Sequence, residues 1–127
     1  MRRVHGFVPL VLLSAMLLWG CSGLLRMPLR QEIAYGDRQR EWALVYYQSW
    51  RREHEPNYLR MARDQMANAV GTYYGLQVRM GHSYPEFYRV DSRRRLSCDF
   101  LRELDRLGER HQVAFDTNAR KGCLPVE

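Results

Sequence analysis

From Leu59 to Met80 apolar side chains return every three or four residues: Leu59, Ala62, Met66, Val70, Tyr73 and Met80, with Gln77 the one polar lapse. That is the period of an α-helix, and an alternating strand cannot keep such a set on one side. The segment opens at Asn57 or just after Pro56, and about 24 residues of helix are roughly 36 Å long. An apolar face of that length has to be covered along all of it, so the rest of the chain is expected to supply further long helices. Beside the stripe run Ala67, Gly71 and Gly75, each four apart. Two glycines cost a helix about 2 kcal/mol relative to alanine, so their spacing predicts another backbone or a large ring packed closely there. They leave one alternative open, in which the helix ends near Gly71 or Gly75 and Leu76 to Met80 alternates as a short strand.

A first helix is expected over residues 31–53. There Tyr35, Trp42, Val45, Tyr46, Ser49 and Trp50 form one broad stripe, and Arg38, Arg40, Glu41, Arg51 and Arg52 fall mostly outside it. Gly36 weakens the start, so the regular part is expected from near Asp37. Glu55-Pro56-Asn57 breaks the pattern, because proline turns the residue before it away from helical geometry. Residues 81–91 read as a loop, and Asp91 or Ser92 as the N-cap of a third, shorter helix. Its expected inner stripe is Leu96, Phe100, Leu104, Leu107 and His111, widened by Leu101. Val113 and Phe115 read as a short extended piece or a final turn, ahead of an irregular tail. Two long segments with a short joint form an antiparallel hairpin, and the third helix would lie across its apolar face. The expected fold is all-α, a small three-helix bundle.

Ahead of the helices lies a different composition. Arg2 and Arg3 precede Phe7 to Leu18, an uncharged apolar run. About a dozen residues suits a secretory leader and falls short of the roughly 20 that span a bilayer. The run ends in Leu18-Trp19-Gly20-Cys21. This resembles the lipobox of bacterial lipoproteins: Leu18 and Gly20 are the usual types three and one residues before the cysteine, while Trp19 is bulkier than the small residue usual between them. The resemblance covers only the first 21 residues. It implies that residues 1–20 are a signal peptide and that Cys21 is lipidated and becomes the first residue of the mature chain. Several acyl chains together hold a membrane stably where one does not. Ser22 is not the aspartate that resembles an inner-membrane retention signal, so the implied destination is the periplasmic face of the outer membrane. Residues 21–30 then read as a membrane-proximal tether, and 31–127 as a single helical domain.

In an oxidising compartment the two remaining cysteines, Cys98 and Cys123, are expected to pair. The bridge would close a loop of about 26 residues, worth about 3.5 kcal/mol in the chain-entropy model, and would staple the tail to the start of the third helix. The formal net charge is +6, two units of it in the leader, too mild to argue for nucleic acid. His54 stands between Glu53 and Glu55, but adjacent helical residues face different ways. His82 and His111 lack the i, i+4 partner of zinc helices, and no nucleophile elbow or phosphate-cradling glycine run occurs. No catalytic residue, metal or cofactor is expected. Arg93-Arg94-Arg95 is the least ordinary local choice, because the opening turn assigned to it disfavours cations. Free N–H groups beside three guanidiniums would suit a lipid phosphate or a partner's carboxylates; the alternative is a solvated run paired with nearby acids. Eight tyrosines and abundant arginine are the composition of interaction surfaces. The expected function is that of a non-enzymatic outer-membrane lipoprotein, membrane-anchored, that binds another envelope protein and no nucleic acid. The alternatives are an anion- or headgroup-binding protein using Arg93 to Arg95, and a cell-wall enzyme. In size, helical content and anchor the chain is similar to the pilotins of secretion systems, a fold-level likeness in which no motif residue carries over.

Overall fold

The computed structural model describes residues 28–115 and 122–126. Three helices of 25 residues each follow one another: α1 (Leu29–Glu53), α2 (Pro56–Met80) and α3 (Glu86–Arg110). No strand occurs among the described residues. The chain is an all-α three-helix bundle whose tail is tied down by a Cys98–Cys123 disulfide, with Cα atoms 5.7 Å apart.

The middle helix is the one with the cleanest period. Every member of its expected stripe is buried, from Leu59 to Met80, Gln77 included. It passes through Gly71 and Gly75 without a break, so Leu76 to Met80 are its last turn and not a strand. Pro56 occupies the first turn, where a missing N–H breaks no helical bond. Gly81, at φ 70°, ends the helix and donates its N–H to the Gln77 carbonyl at 3.0 Å. The chain turns from α1 to α2 through His54, in the left-handed region at φ 54°. The hairpin is antiparallel: Glu32 meets Arg79 towards one end, Thr72 donates to Gln39 at 2.7 Å, and Trp50 shares a cluster with Leu59 and Ala62 at the other.

In α1 the structure departs from expectation. The helix starts at Leu29, two residues inside the segment assigned to the tether, and Gly36 does not interrupt it. It buries Gly36, Ala43 and Trp50, spaced by seven. Of the expected stripe only Trp50 is buried, whereas Tyr35, Trp42 and Val45 are 48%, 55% and 53% exposed. The cause is steric. A Cβ on Gly36 would lie 2.7 Å from Cε1 of Tyr73, so the Tyr73 ring occupies the place of a side chain there. Small residues let α2 come close, its own large side chains fill the interface, and the aromatic stripe of α1 is displaced to the flank. Gly71 and Gly75, where close packing was expected, meet nothing within 4 Å.

The third helix begins at Glu86, more than a turn before Asp91, and is as long as the others. Asp91 and Ser92 therefore lie inside it and cap nothing. Its buried face is Phe87, Val90, Arg94, Ser97, Cys98, Leu101, Leu104 and Gly108. Of the expected stripe Leu101 and Leu104 are buried and Phe100 and Leu107 half-buried, while Leu96 is 62% exposed and His111 is exposed. Polar Arg94 holds an inward position because its partners lie there, and Ser97 is satisfied by the Arg93 carbonyl of its own helix at 2.8 Å. Cys98 consequently staples the tail to the middle of α3, not to its start. Beyond α3, Val113 is buried and donates to the Gly108 carbonyl at 2.8 Å, and the Phe115 ring lies over Gly108 with the Arg63 guanidinium 4.9 Å from its centroid.

Candidate functional site

Polar side chains inside the bundle include the buried Arg63, whose Nε donates to Asp105 of α3 at 3.0 Å, and two larger gatherings. At the first, Arg94 of α3 is 3% exposed. Its Nε donates to Gln77 Oε1 at 2.6 Å, one Nη to the carbonyls of Gly122 and Leu124 at 2.9 Å each, and the other to Asp91 Oδ1 at 2.9 Å. Gln77 also donates to Asp91 Oδ1, at 2.9 Å, and Arg95 reaches Asp91 Oδ2 at 2.8 Å. Burial opposes the charge on Asp91, but the hydrogen bonds from Gln77 and Arg94 and the charge of Arg95 outweigh it and hold the carboxyl below its usual value. One guanidinium thus ties α2, α3 and the tail together. No buried side-chain nitrogen or oxygen among the described residues lacks a partner.

The second junction is a single carboxylate oxygen. Asp37 Oδ1 of α1 accepts from the Tyr73 hydroxyl of α2 at 2.5 Å and lies 3.6 Å from Arg93 Nε of α3. Burial, then the bond to the Asp37 carboxylate, pushes the Tyr73 phenol above its ordinary range, so it stays a donor at any physiological pH. Farther along, Tyr47 of α1 and Phe100 of α3 meet edge to face at 5.2 Å. Between these two cross-contacts α1 and α3 make few close approaches. Leu44 lies between Asp37 and Tyr47 in α1, and Leu96 between Arg93 and Phe100 in α3; both are exposed, at 38% and 62%, and leave an apolar saddle on the stretch that the two cross-contacts bracket.

The structure separates the three arginines singled out by sequence. They occupy the second and third turns of α3, so the setting of guanidiniums beside free N–H groups is absent. Arg94 is enclosed, Arg93 leans to Asp37, and Arg95 is exposed and paired with Asp91. Each is paired with an acid, as the alternative had it, but the run is not a solvated one, because Arg94 is buried. Cys98 and Cys123 form the expected bridge. Cys21 lies outside the described residues. Sequence reasoning did not find the contact between His54 and His111, whose rings flank Trp50 at 5.4 and 5.0 Å; no periodic signal joins residues at the ends of different helices. Among the described residues no three His, Cys, Asp or Glu side chains gather as metal ligands, and no helix is long and apolar enough to cross a membrane. No family model, no curated protein and no solved structure matches the chain.

Proposed function

We propose that this chain is a non-enzymatic lipoprotein of the outer membrane, facing the periplasm, that acts by binding another envelope protein. The leader ending at Cys21 supports the address. A bridged Cys98–Cys123 pair fits an oxidising compartment. The observation that carries the binding role is surplus apolar surface on a finished core: Leu44 and Leu96 stay exposed on the stretches of α1 and α3 that the Asp37–Arg93 and Tyr47–Phe100 contacts bracket. The ionisable groups inside the bundle are engaged in holding helices together, which leaves them poorly placed to work on a substrate. Cys21→Ser should release the protein from the membrane fraction and abolish palmitate labelling. A photo-crosslinking residue in place of Leu96 should capture one envelope protein in intact cells, and Leu44→Asp should abolish that adduct. Membrane association unchanged by Cys21→Ser sinks the anchor, and an adduct indifferent to Leu44→Asp sinks the binding face.

A further inference from the structure

The displaced stripe of α1 is a second apolar surface, distinct from the saddle. Tyr35, Trp42 and Val45 are about half exposed, and Tyr46 packs against Trp42 with ring centroids 5.9 Å apart. Their spacing of seven and three puts them along one side of the helix. Arg38 lies within that side, three residues after Tyr35 and four before Trp42, and Arg52 continues it one heptad beyond Val45. Both are exposed, and neither has an ion pair among the described residues. Glu41 stands at the side margin, and Glu53 falls on the Tyr35 line only at the last residue of the helix.

We propose that this face lies on the bilayer, with α1 parallel to the membrane, the rings of Tyr35, Trp42 and Tyr46 in the interfacial layer and the arginines on anionic headgroup phosphates. The proposal rests on the lipid-anchor reading, because the occupant follows from where the chain is tied. Seven residues separate Cys21 from the start of α1 at Leu29, so eight residue steps give a reach of about 28 Å at full extension, less than the roughly 37 Å length of the helix itself. Of the three helices α1 is the one that leads directly from the anchor, so its start stays within that reach of the membrane. Tryptophan and tyrosine favour that depth because each has an apolar body and a polar edge, and arginine can lay its stem along apolar surface while its head stays with phosphate.

The neighbouring ridge of α2 fits the same geometry. Arg79 donates to the Gly75 carbonyl with its Nε and grips Glu32 of α1 with its other nitrogens, which places Gly75 beside α1. Gly75 and Gly71 present no side chain, and among the described residues a Cβ added at either would meet nothing within 4 Å. The aromatic ridge thus stands proud of its neighbour, and a flat surface can reach it. In this reading the two glycines that break the helix rule are where the bilayer comes near.

The test uses the acylated full-length gene product purified from membranes and reconstituted in phosphatidylethanolamine–phosphatidylglycerol vesicles with brominated acyl chains. Bromine quenches tryptophan on contact. Of the tryptophans beyond Cys21, Trp50 is 6% exposed and Trp42 55%, so Trp42 is the reporter. The expected result is loss and blue shift of the Trp42 emission, with quenching gone in Trp42→Phe. Acylated protein whose Trp42 is not quenched overturns the proposal and leaves the anchor standing. If Trp42 is instead shielded from a water-soluble quencher in a dimer that Trp42→Asp dissociates, a second copy covers the face and the proposal also fails. Quenching that survives Trp42→Phe in a protein whose mass shows no acyl groups comes from a retained Trp19 and overturns anchor and orientation together.

Discussion

Two kinds of glycine in this bundle should respond oppositely to one added methyl group. In an open helical position alanine is favoured over glycine by about 1 kcal/mol. Gly71 and Gly75 are such positions, since a Cβ there meets nothing within 4 Å. Gly36→Ala gains the same propensity, but its Cβ arrives 2.7 Å from Cε1 and 3.1 Å from Cδ1 of Tyr73. That ring cannot swing away, because it is wholly buried and its hydroxyl is held by Asp37 at 2.5 Å. Moving it loosens the junction of all three helices. Overpacking of this kind costs about 1–3 kcal/mol, so Gly36→Ala should lose about 1 kcal/mol net while Gly71→Ala and Gly75→Ala each gain about as much. For a domain of this size 1 kcal/mol moves Tm by roughly 4–8 °C. Far-UV circular dichroism melts of the protein lacking residues 1–20 should thus place the Gly36 variant below wild type and the other two above it. A Gly36→Ala protein as stable as wild type, or a Gly71→Ala protein less stable, would refute the assignment of which glycine is packed.

Arg94→Met should cost about 3–5 kcal/mol, the usual loss when one partner of a buried charged network is removed; Gln77, Asp91 and two tail carbonyls lose their donor. Urea unfolding measures the loss, and hydrogen exchange should show residues 122–126 opening while α2 stays protected; equal protection of the tail in both proteins would show that Arg94 does not hold it. Asp91 has a folded pKa below its unfolded value, so the stability it contributes is complete above about pH 4 and disappears as pH falls through the folded value. Asp91→Asn should therefore flatten the acid limb of the urea midpoint against pH, and an acid limb unchanged by the substitution would contradict the role given to its partners.

The period from Leu59 to Met80 determined much by itself. It located α2 and named most of its inward face, leaving out Arg63, Ala69 and Leu76, and it called for further helices to cover that face. Proline and glycine marked both turns, and the two cysteines left after Cys21 had only each other to pair with. These features are local, or depend on a helix enclosed by neighbours, so that every apolar residue on its stripe points at something. The outer helices are different, because each is covered on one side only and its partner's shape selects the buried strip. In α1 hydrophobicity favoured Tyr35, Trp42 and Val45, yet Gly36 and Ala43 face inward because the Tyr73 ring fits over a residue with no side chain. In α3 it favoured Leu96, yet Arg94 is inside because its acceptors include carbonyls 28 and 30 residues away. The start of α3 at Glu86 followed the same logic, since Phe87 and Val90 close the core against Leu76 and Met80. Helical period is written in neighbouring residues, whereas the choice between two possible faces is an energy shared with distant ones, and only the packed chain decides it.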